Sequence, residues 1–227
     1  DGKVELDASI MDGRTLNAGA VAGVRDIKNP ICAAREVMLN SEHVFLSGKG
    51  ASEFAKKQGL DIVPNKYFHT KARKESLEQL LKKERSRTNN DNTGTVGCVV
   101  LDSHGNLCAG TSTGGMTNKK YGRIGDTPVI GAGTYASNKT CAVSCTGHGE
   151  YYIRLGFARD ISALMEYKNL TVQDACKTEI AKLTELNGTG GVIAIDQQGN
   201  IAMEFNTSGM FRGFIKSSGE KEVAIFK

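Results

Sequence analysis

The sequence predicts an α+β fold with a mostly antiparallel sheet, because its helical segments come in blocks and its strand segments come in hairpins. Two short strands open the chain, Leu6 to Met11 and Ala18 to Val24, small and apolar runs parted by the turn Asp12-Gly13-Arg14. A block of helices follows. Pro30 suits a first helical turn, and Ile31, Ala34, Val37 and Met38 recur on one face at helical spacing. Further helices are predicted at Ala51 to Gln58 and Lys74 to Glu84. Thr95 to Leu101 reads TVGCVVL, the composition of a strand buried on both faces. The turn Asp102-Ser103-His104-Gly105-Asn106 returns the chain through Leu107 to Thr113, completing a hairpin. Ala142 to Cys145 reads as another buried strand, leading through Thr146-Gly147-His148-Gly149-Glu150 into one long helix with Ile153, Phe157, Ile161 and Leu164 on one side. Thr171 is placed to cap the next helix, which reaches Leu186. Val192 to Asp196 and Ile201 to Phe205 form a second hairpin about Gln197-Gln198-Gly199-Asn200, and Glu222 to Phe226 is expected to add an edge strand.

A chain of 227 residues with 39% hydrophobic content can bury one substantial core, and its evenly spread apolar segments predict a single domain over residues 1–227. The net charge is +4 with both signs interleaved, and the basic cluster from Lys71 to Arg87 is interrupted by Glu75, Glu78 and Glu84. No nucleic-acid partner is expected from such a pattern. No run approaches the roughly 18 consecutive apolar residues of a membrane helix, and Asp1-Gly2-Lys3-Val4-Glu5 lacks the basic-then-apolar layout of a signal peptide. The expectation is a soluble, cytoplasmic protein without a membrane partner; a periplasmic or secreted location is the alternative where a segment precedes Asp1. Cys32, Cys98, Cys108, Cys141, Cys145 and Cys176 lie mostly in apolar segments and are expected to be reduced and buried. The sequons at Asn138, Asn169, Asn187 and Asn206 read as chance.

The junction at Gly94-Thr95 carries the chemistry. Lys83 to Gly94 holds twelve residues without a large apolar side chain, the composition of a loop or mobile tail, and it stops abruptly at a strand beginning with threonine. An internal threonine has only an amide nitrogen, which cannot act as a base. Cutting before Thr95 would free an α-amine with a pKa of about 7.7 to 8.0, close to the residue's own hydroxyl and matched to neutral pH. Without such a cut, Thr95 is merely a residue that favours strands.

Downstream, Arg123 and Asp126 stand three apart in a segment with Gly122, Gly125 and Pro128, so both heads can point into one cleft. Their opposite charges suit a zwitterion, since arginine grips a carboxylate bidentately and aspartate accepts from an ammonium. A surface salt bridge is the plainer alternative. Thr146 and Gly147 precede a helix, where partnerless backbone N–H groups stabilise developing negative charge. No lysine followed by serine or threonine is present there to suggest a phosphate loop. Cys141, Cys145 and His148 lack a fourth ligand at suitable spacing, so no metal site is expected. Asp102-Ser103-His104 is read as a hairpin turn, not a catalytic triad.

The stretches Gly94 to Asp102, Gly105-Asn106-Leu107, Thr111 to Lys119, Gly122 to Pro128, Gly131-Ala132-Gly133 and Thr146 to Glu150 closely resemble plant-type asparaginases with isoaspartyl peptidase activity. Glu5 to Gly13, Gly19 to Val24, Gly190 to Asp196 and Asn206-Thr207 extend the likeness over essentially the whole chain. The resemblance implies an N-terminal-nucleophile hydrolase with a four-layer αββα sandwich, cleaved into residues 1–94 and 95–227 and assembled as a homodimer of these paired fragments. Thr95 would attack the side-chain amide of asparagine or a β-aspartyl dipeptide, with Thr113 orienting its hydroxyl. Arg123 and Asp126 would grip the unblocked aspartyl unit, the Thr146 hydroxyl and Gly147 N–H would form the oxyanion hole and touch the substrate, and Gly149 would help hold its charged end. No cofactor is implied for the chemistry. Family members carry a further N-terminal portion, including a His-Gly-Gly-Ala-Gly strand, a covering helix and a loop that holds a structural sodium ion, all upstream of Glu5. The expected fold therefore lacks that strand and helix, leaving a sheet edge open. A glycosylasparaginase, and an inactive homologue serving as an assembly or binding partner, are the alternatives.

Overall fold

The first hairpin forms as its small residues predict: β1 (Leu6–Asp12) and β2 (Ala18–Val24) pair antiparallel, with Met11 opposite Ala18 and Leu6 opposite Val24. The computed structural model describes residues 2–83 and 94–226; residues 84–93, most of the polar stretch read as a loop or tail, lie outside the described residues. Alanine and valine on β1 and β2 let a helix lie close. In α1 (Pro30–Asn40), Ala33, Ala34 and Val37 are buried against these two strands. A three-residue strand, β3 (Phe45–Ser47), then pairs parallel with β2. It is too short to show an alternating pattern and escaped the sequence reading. The second helix, α2 (Gly48–Lys57), adds Ala51 and Ala55 to the same cluster, and the largely exposed α3 (Lys71–Lys83) follows.

Strands β4 (Thr95–Leu101) and β5 (Leu107–Thr113) pair without slippage from Thr95 opposite Thr113 to Leu101 opposite Leu107. β5 also pairs with β1, placing Asp7 opposite Thr113. The resulting sheet runs β3-β2-β1-β5-β4. This placement corrects one expectation: β4 is an edge strand, and Val96 and Val100 on its outer face are 73% and 47% exposed. Apolar composition predicts buried faces, but it does not tell an edge from a centre.

The second sheet contains β6 (Thr134–Ala136), β7 (Cys141–Gly147), β8 (Gly190–Asp196) and β9 (Ile201–Phe205), antiparallel throughout in that order. Between β7 and β8 run α4 (Gly149–Leu155), α5 (Phe157–Lys168) and α6 (Val172–Glu185). The single long helix expected here is two. Gly156 takes φ 59° and ends α4, so Phe157, Ile161 and Leu164 are buried while Ile153 on the first piece is not. α5 packs on β7, and α6 on β8 and β9.

The two sheets face each other, β4 and β5 against β7, with Leu107, Ala109, Ala136 and Ala142 filling the space between them. At the C-terminal end, β11 (Lys221–Ala224) pairs with β10 (Arg212–Ile215) as a separate two-stranded ribbon, rather than extending either sheet. The cysteines also divide. Cys141, Cys145 and Cys176 are buried, Cys108 is half-buried, and Cys32 and Cys98 lie exposed on the open sides of α1 and β4; all six are unpaired. Among the described residues no helix is long and apolar enough to cross a membrane.

Thr171 caps α6 as read: its hydroxyl accepts from the Asp174 N–H at 3.1 Å and donates to the Asp174 carboxylate at 2.8 Å. Replacing it with alanine leaves that N–H without its partner. Thr171→Ala is expected to cost about 1 kcal/mol, with Thr171→Ser restoring most of it, as read from urea unfolding midpoints.

Candidate active site

The unshifted β4–β5 pairing brings the first residue of one strand level with the last residue of the other. Thr95 Oγ1 consequently donates to Thr113 Oγ1 at 3.2 Å. Thr113 Oγ1 in turn accepts from the Gly115 N–H at 3.0 Å and donates to the Gly94 carbonyl at 3.3 Å. The Thr113 hydroxyl is thereby fully engaged, with its proton directed at the carbonyl of the Gly94-Thr95 bond.

The facing sheet delivers Thr146 to the same end of the gap. Ser144 on β7 meets Thr111 on β5 at 2.7 Å, and Ala142 shares a buried cluster with Ala109. Side chains alternate along both strands, so the next inward pair is Thr146 and Thr113. Gly147 ends β7 with φ 152°, and a Cβ there would stand 2.7 Å from the Gly190 Cα. Only glycine suits this close approach. His148 is the N-cap of α4 and makes no side-chain capping bond. The first turn of α4 begins at Gly149, just beyond Thr146-Gly147.

Arg123 and Asp126 come close together but do not bond to each other. The Arg123 guanidinium forms a two-pronged bond with Glu150, at 2.6 and 2.8 Å. Hydrogen bonding to Arg123 holds the Glu150 carboxyl below its usual range. Asp126 is only 5% exposed, and among the described residues its Oδ2 has no hydrogen-bond partner. Burial pushes its pKa up to about 7, against the opposing pull of the Arg123 charge. Gly149 lies directly on it: a Cβ there would stand 2.7 Å from Asp126 Oδ1. Arg123, Asp126, Gly149 and Glu150 thus form one charged corner beside the start of α4.

Three charged residues near this corner were not singled out from the sequence. Asp7, opposite Thr113, is 1% exposed; Lys119 lies 3.2 Å from Glu5 and 3.9 Å from Asp7. Burial raises the Asp7 pKa, while Lys119 and Arg123 draw it down. Glu5 is held below its usual range by Arg25 and Lys119, which outweigh its desolvation. The available signal was a carboxylate at an inward position of the apolar run Leu6 to Met11, since buried charges require partners.

The chain matches the model of the family described as Asparaginase over residues 1–225. The isoaspartyl peptidase of Salmonella typhimurium is 51% identical over 225 residues, covering 94% of this chain and 71% of its own length. The isoaspartyl peptidase of Escherichia coli is 50% identical over 221 residues, covering 92% and 68% respectively. The probable isoaspartyl peptidase/L-asparaginase 2 of Arabidopsis thaliana is 44% identical over 254 residues, covering all of this chain and 77% of its own.

The raised Asp126 pKa makes stability depend on pH. Between the unfolded value near 3.8 and the folded value of about 7, the folded chain binds the proton that the unfolded chain has lost. Stability contributed by this group therefore falls as pH rises through that window. In thermal melts, Asp126→Asn is expected to gain on wild type at pH 8, with the gain narrowing toward pH 5; a pH-independent difference would contradict the assignment.

Proposed function

Since this chain belongs to the asparaginase family, we propose that it hydrolyses the side-chain amide of L-asparagine and the β-aspartyl bond of isoaspartyl dipeptides, with Thr95 as nucleophile. The observation that carries this reading is the Thr95 hydroxyl held at 3.2 Å from Thr113, whose proton points at the Gly94 carbonyl.

In the intact chain, attack of Thr95 Oγ1 on the Gly94 carbonyl carbon moves the acyl group from nitrogen to oxygen, and Thr113 supports the charge that builds on the carbonyl oxygen. Water then hydrolyses the ester, leaving a carboxylate on Gly94 and a free amine on Thr95. That amine takes the proton from Oγ1 as the hydroxyl attacks the substrate's side-chain carbonyl. The Thr146 hydroxyl and Gly147 N–H receive the oxyanion. The protonated amine passes its proton to the departing ammonia or amino acid, and water releases aspartate from the threonyl ester.

At the charged corner, Arg123 faces the substrate's α-carboxylate and Asp126 its α-ammonium. A bound ammonium replaces the hydration that burial has removed from Asp126 and favours its ionised form. Gly149 leaves space for this end because a side chain there would run into Asp126.

The same reading gives a four-layer αββα sandwich, with α1 and α2 outside one sheet and α5 and α6 outside the other. Residues 1–94 and 95–227 remain associated, and two such pairs form the dimer. The six unpaired cysteines fit a reducing compartment such as the cytoplasm. The base is the Thr95 amine. Among the described residues no group of three or more His, Cys, Asp or Glu could hold a metal ion.

Denaturing mass spectrometry of the wild-type chain is expected to give two fragments, the second beginning at Thr95. Thr95→Ala should remain intact and lose about 10³-fold or more in turnover; an uncut but fully active wild type would sink the mechanism. Parallel assays with asparagine, a β-aspartyl dipeptide and a glycosylated asparagine define the leaving group. Arg123→Ala is expected to lower kcat/KM for the dipeptide by roughly 10- to 100-fold, the loss of a charged hydrogen bond, and unchanged turnover would remove Arg123 from the substrate site.

A further inference from the structure

Behind Thr95 and Thr113 lies a line of four buried hydroxyls that take no part in the bond changes described above. Ser9 on β1, Thr134 on β6, Thr111 on β5 and Ser144 on β7 are each no more than 3% exposed. Ser9 Oγ is 2.6 Å from the Thr127 carbonyl oxygen and 2.8 Å from Thr134 Oγ1. Thr134 Oγ1 is 2.6 Å from Thr111 Oγ1, which is 2.7 Å from Ser144 Oγ. Each hydroxyl has one proton and the carbonyl only accepts. Two carbonyls flank the line as acceptors: the Thr127 oxygen also lies 3.4 Å from Thr134 Oγ1, and the Gly133 oxygen lies 3.3 Å from Thr111 Oγ1.

The line touches the two strands and the turn that carry Thr113, Thr146 and Asp126. Thr111 is two residues before Thr113 on β5, Ser144 is two before Thr146 on β7, and Thr127 directly follows Asp126. Alanine and valine would also fill the gap between the sheets, but dispersion contacts tolerate small sliding movements that short hydrogen bonds do not. Replacing Thr111 by an apolar group removes the contact of Ser144 Oγ with it and the shortest contact of Thr134 Oγ1, so the change is felt on both sides of the line.

The geometry points to this hydroxyl line as a positioning device for catalysis: Thr111 and Ser144 set Thr113 against Thr146, and Ser9 sets the Asp126 turn. The inference rests on the proposed threonine-hydrolase reading. Its test compares Thr111→Val, which keeps the shape and loses the hydroxyl, with Thr111→Ser, which keeps the hydroxyl and loses the methyl. Fragment masses, kcat, KM and melting temperature are measured with one β-aspartyl dipeptide.

Thr111→Val is expected to lower kcat at least 10-fold, toward the roughly 10²-fold that a 1 Å misplacement can cost, while KM stays within about 3-fold. Thr111→Ser should retain kcat within about 3-fold, and Ser144→Ala should follow Thr111→Val. Ser9→Ala should instead raise KM about 3-fold or more, with less effect on kcat. Incomplete cleavage of Thr111→Val beside complete cleavage of Thr111→Ser would support the same role acting on the Gly94-Thr95 bond. Equal losses in Thr111→Val and Thr111→Ser, or full activity in Thr111→Val, would overturn the positioning role alone. An inactive wild type would remove that role together with the functional reading.

Discussion

The close approach of the two sheets is the constraint on which the rest of the architecture depends. Alanines at 109, 136 and 142 keep the gap narrow, and a Cβ at Gly97 would run into the Ser144 hydroxyl. Larger side chains at these positions would push β7 away from β4 and β5. The 2.7 Å contact between Thr111 and Ser144 could not then form. Small residues are therefore as much a part of the proposed site as the hydroxyls, because they set the distance over which the hydroxyls act.

Charge at the mouth of the gap follows a second logic. Asp126 and Asp7 are both buried on the protein side of the site, and desolvation raises both pKa values. Arg123 and Lys119 supply the compensating positive charge, with Glu150 and Glu5 on their more accessible sides. Carboxylates held this way carry a desolvation cost in the folded chain that their positive partners offset only in part. Glu179, buried on α6 beside Lys182 and raised to about 7, imposes a similar penalty, so with Asp7 and Asp126 three buried carboxylates lower stability as pH rises from the acid range toward neutral.

Much of this arrangement was legible in advance, for reasons that differ by element. The three hairpins and the cap at Thr171 were visible because they depend on local patterns: alternation, turn residues and a side chain reaching three positions along. β3, β6 and β10 were not read, being only three or four residues long. The break at Gly156 was passed over because the apolar spacing on its two sides still suits one helix. TVGCVVL looked like a central strand, yet its outer face is open, since partners are assigned to a strand by topology and not by composition.

By itself the sequence determined the hairpins, the polar-to-strand junction at Gly94-Thr95 and the residue types able to cleave an amide, since each lies in adjoining or evenly spaced positions. Tertiary structure alone decided which groups meet. It gave Arg123 the partner Glu150, left Asp126 buried with a pKa of about 7, set Asp7 and Lys119 beside Thr113, and joined Ser9, Thr134, Thr111 and Ser144 into one line. The physical reason is separation along the chain: Ser9 and Thr134 are 125 residues apart, and no local pattern encodes a hydrogen bond created by packing one sheet on another.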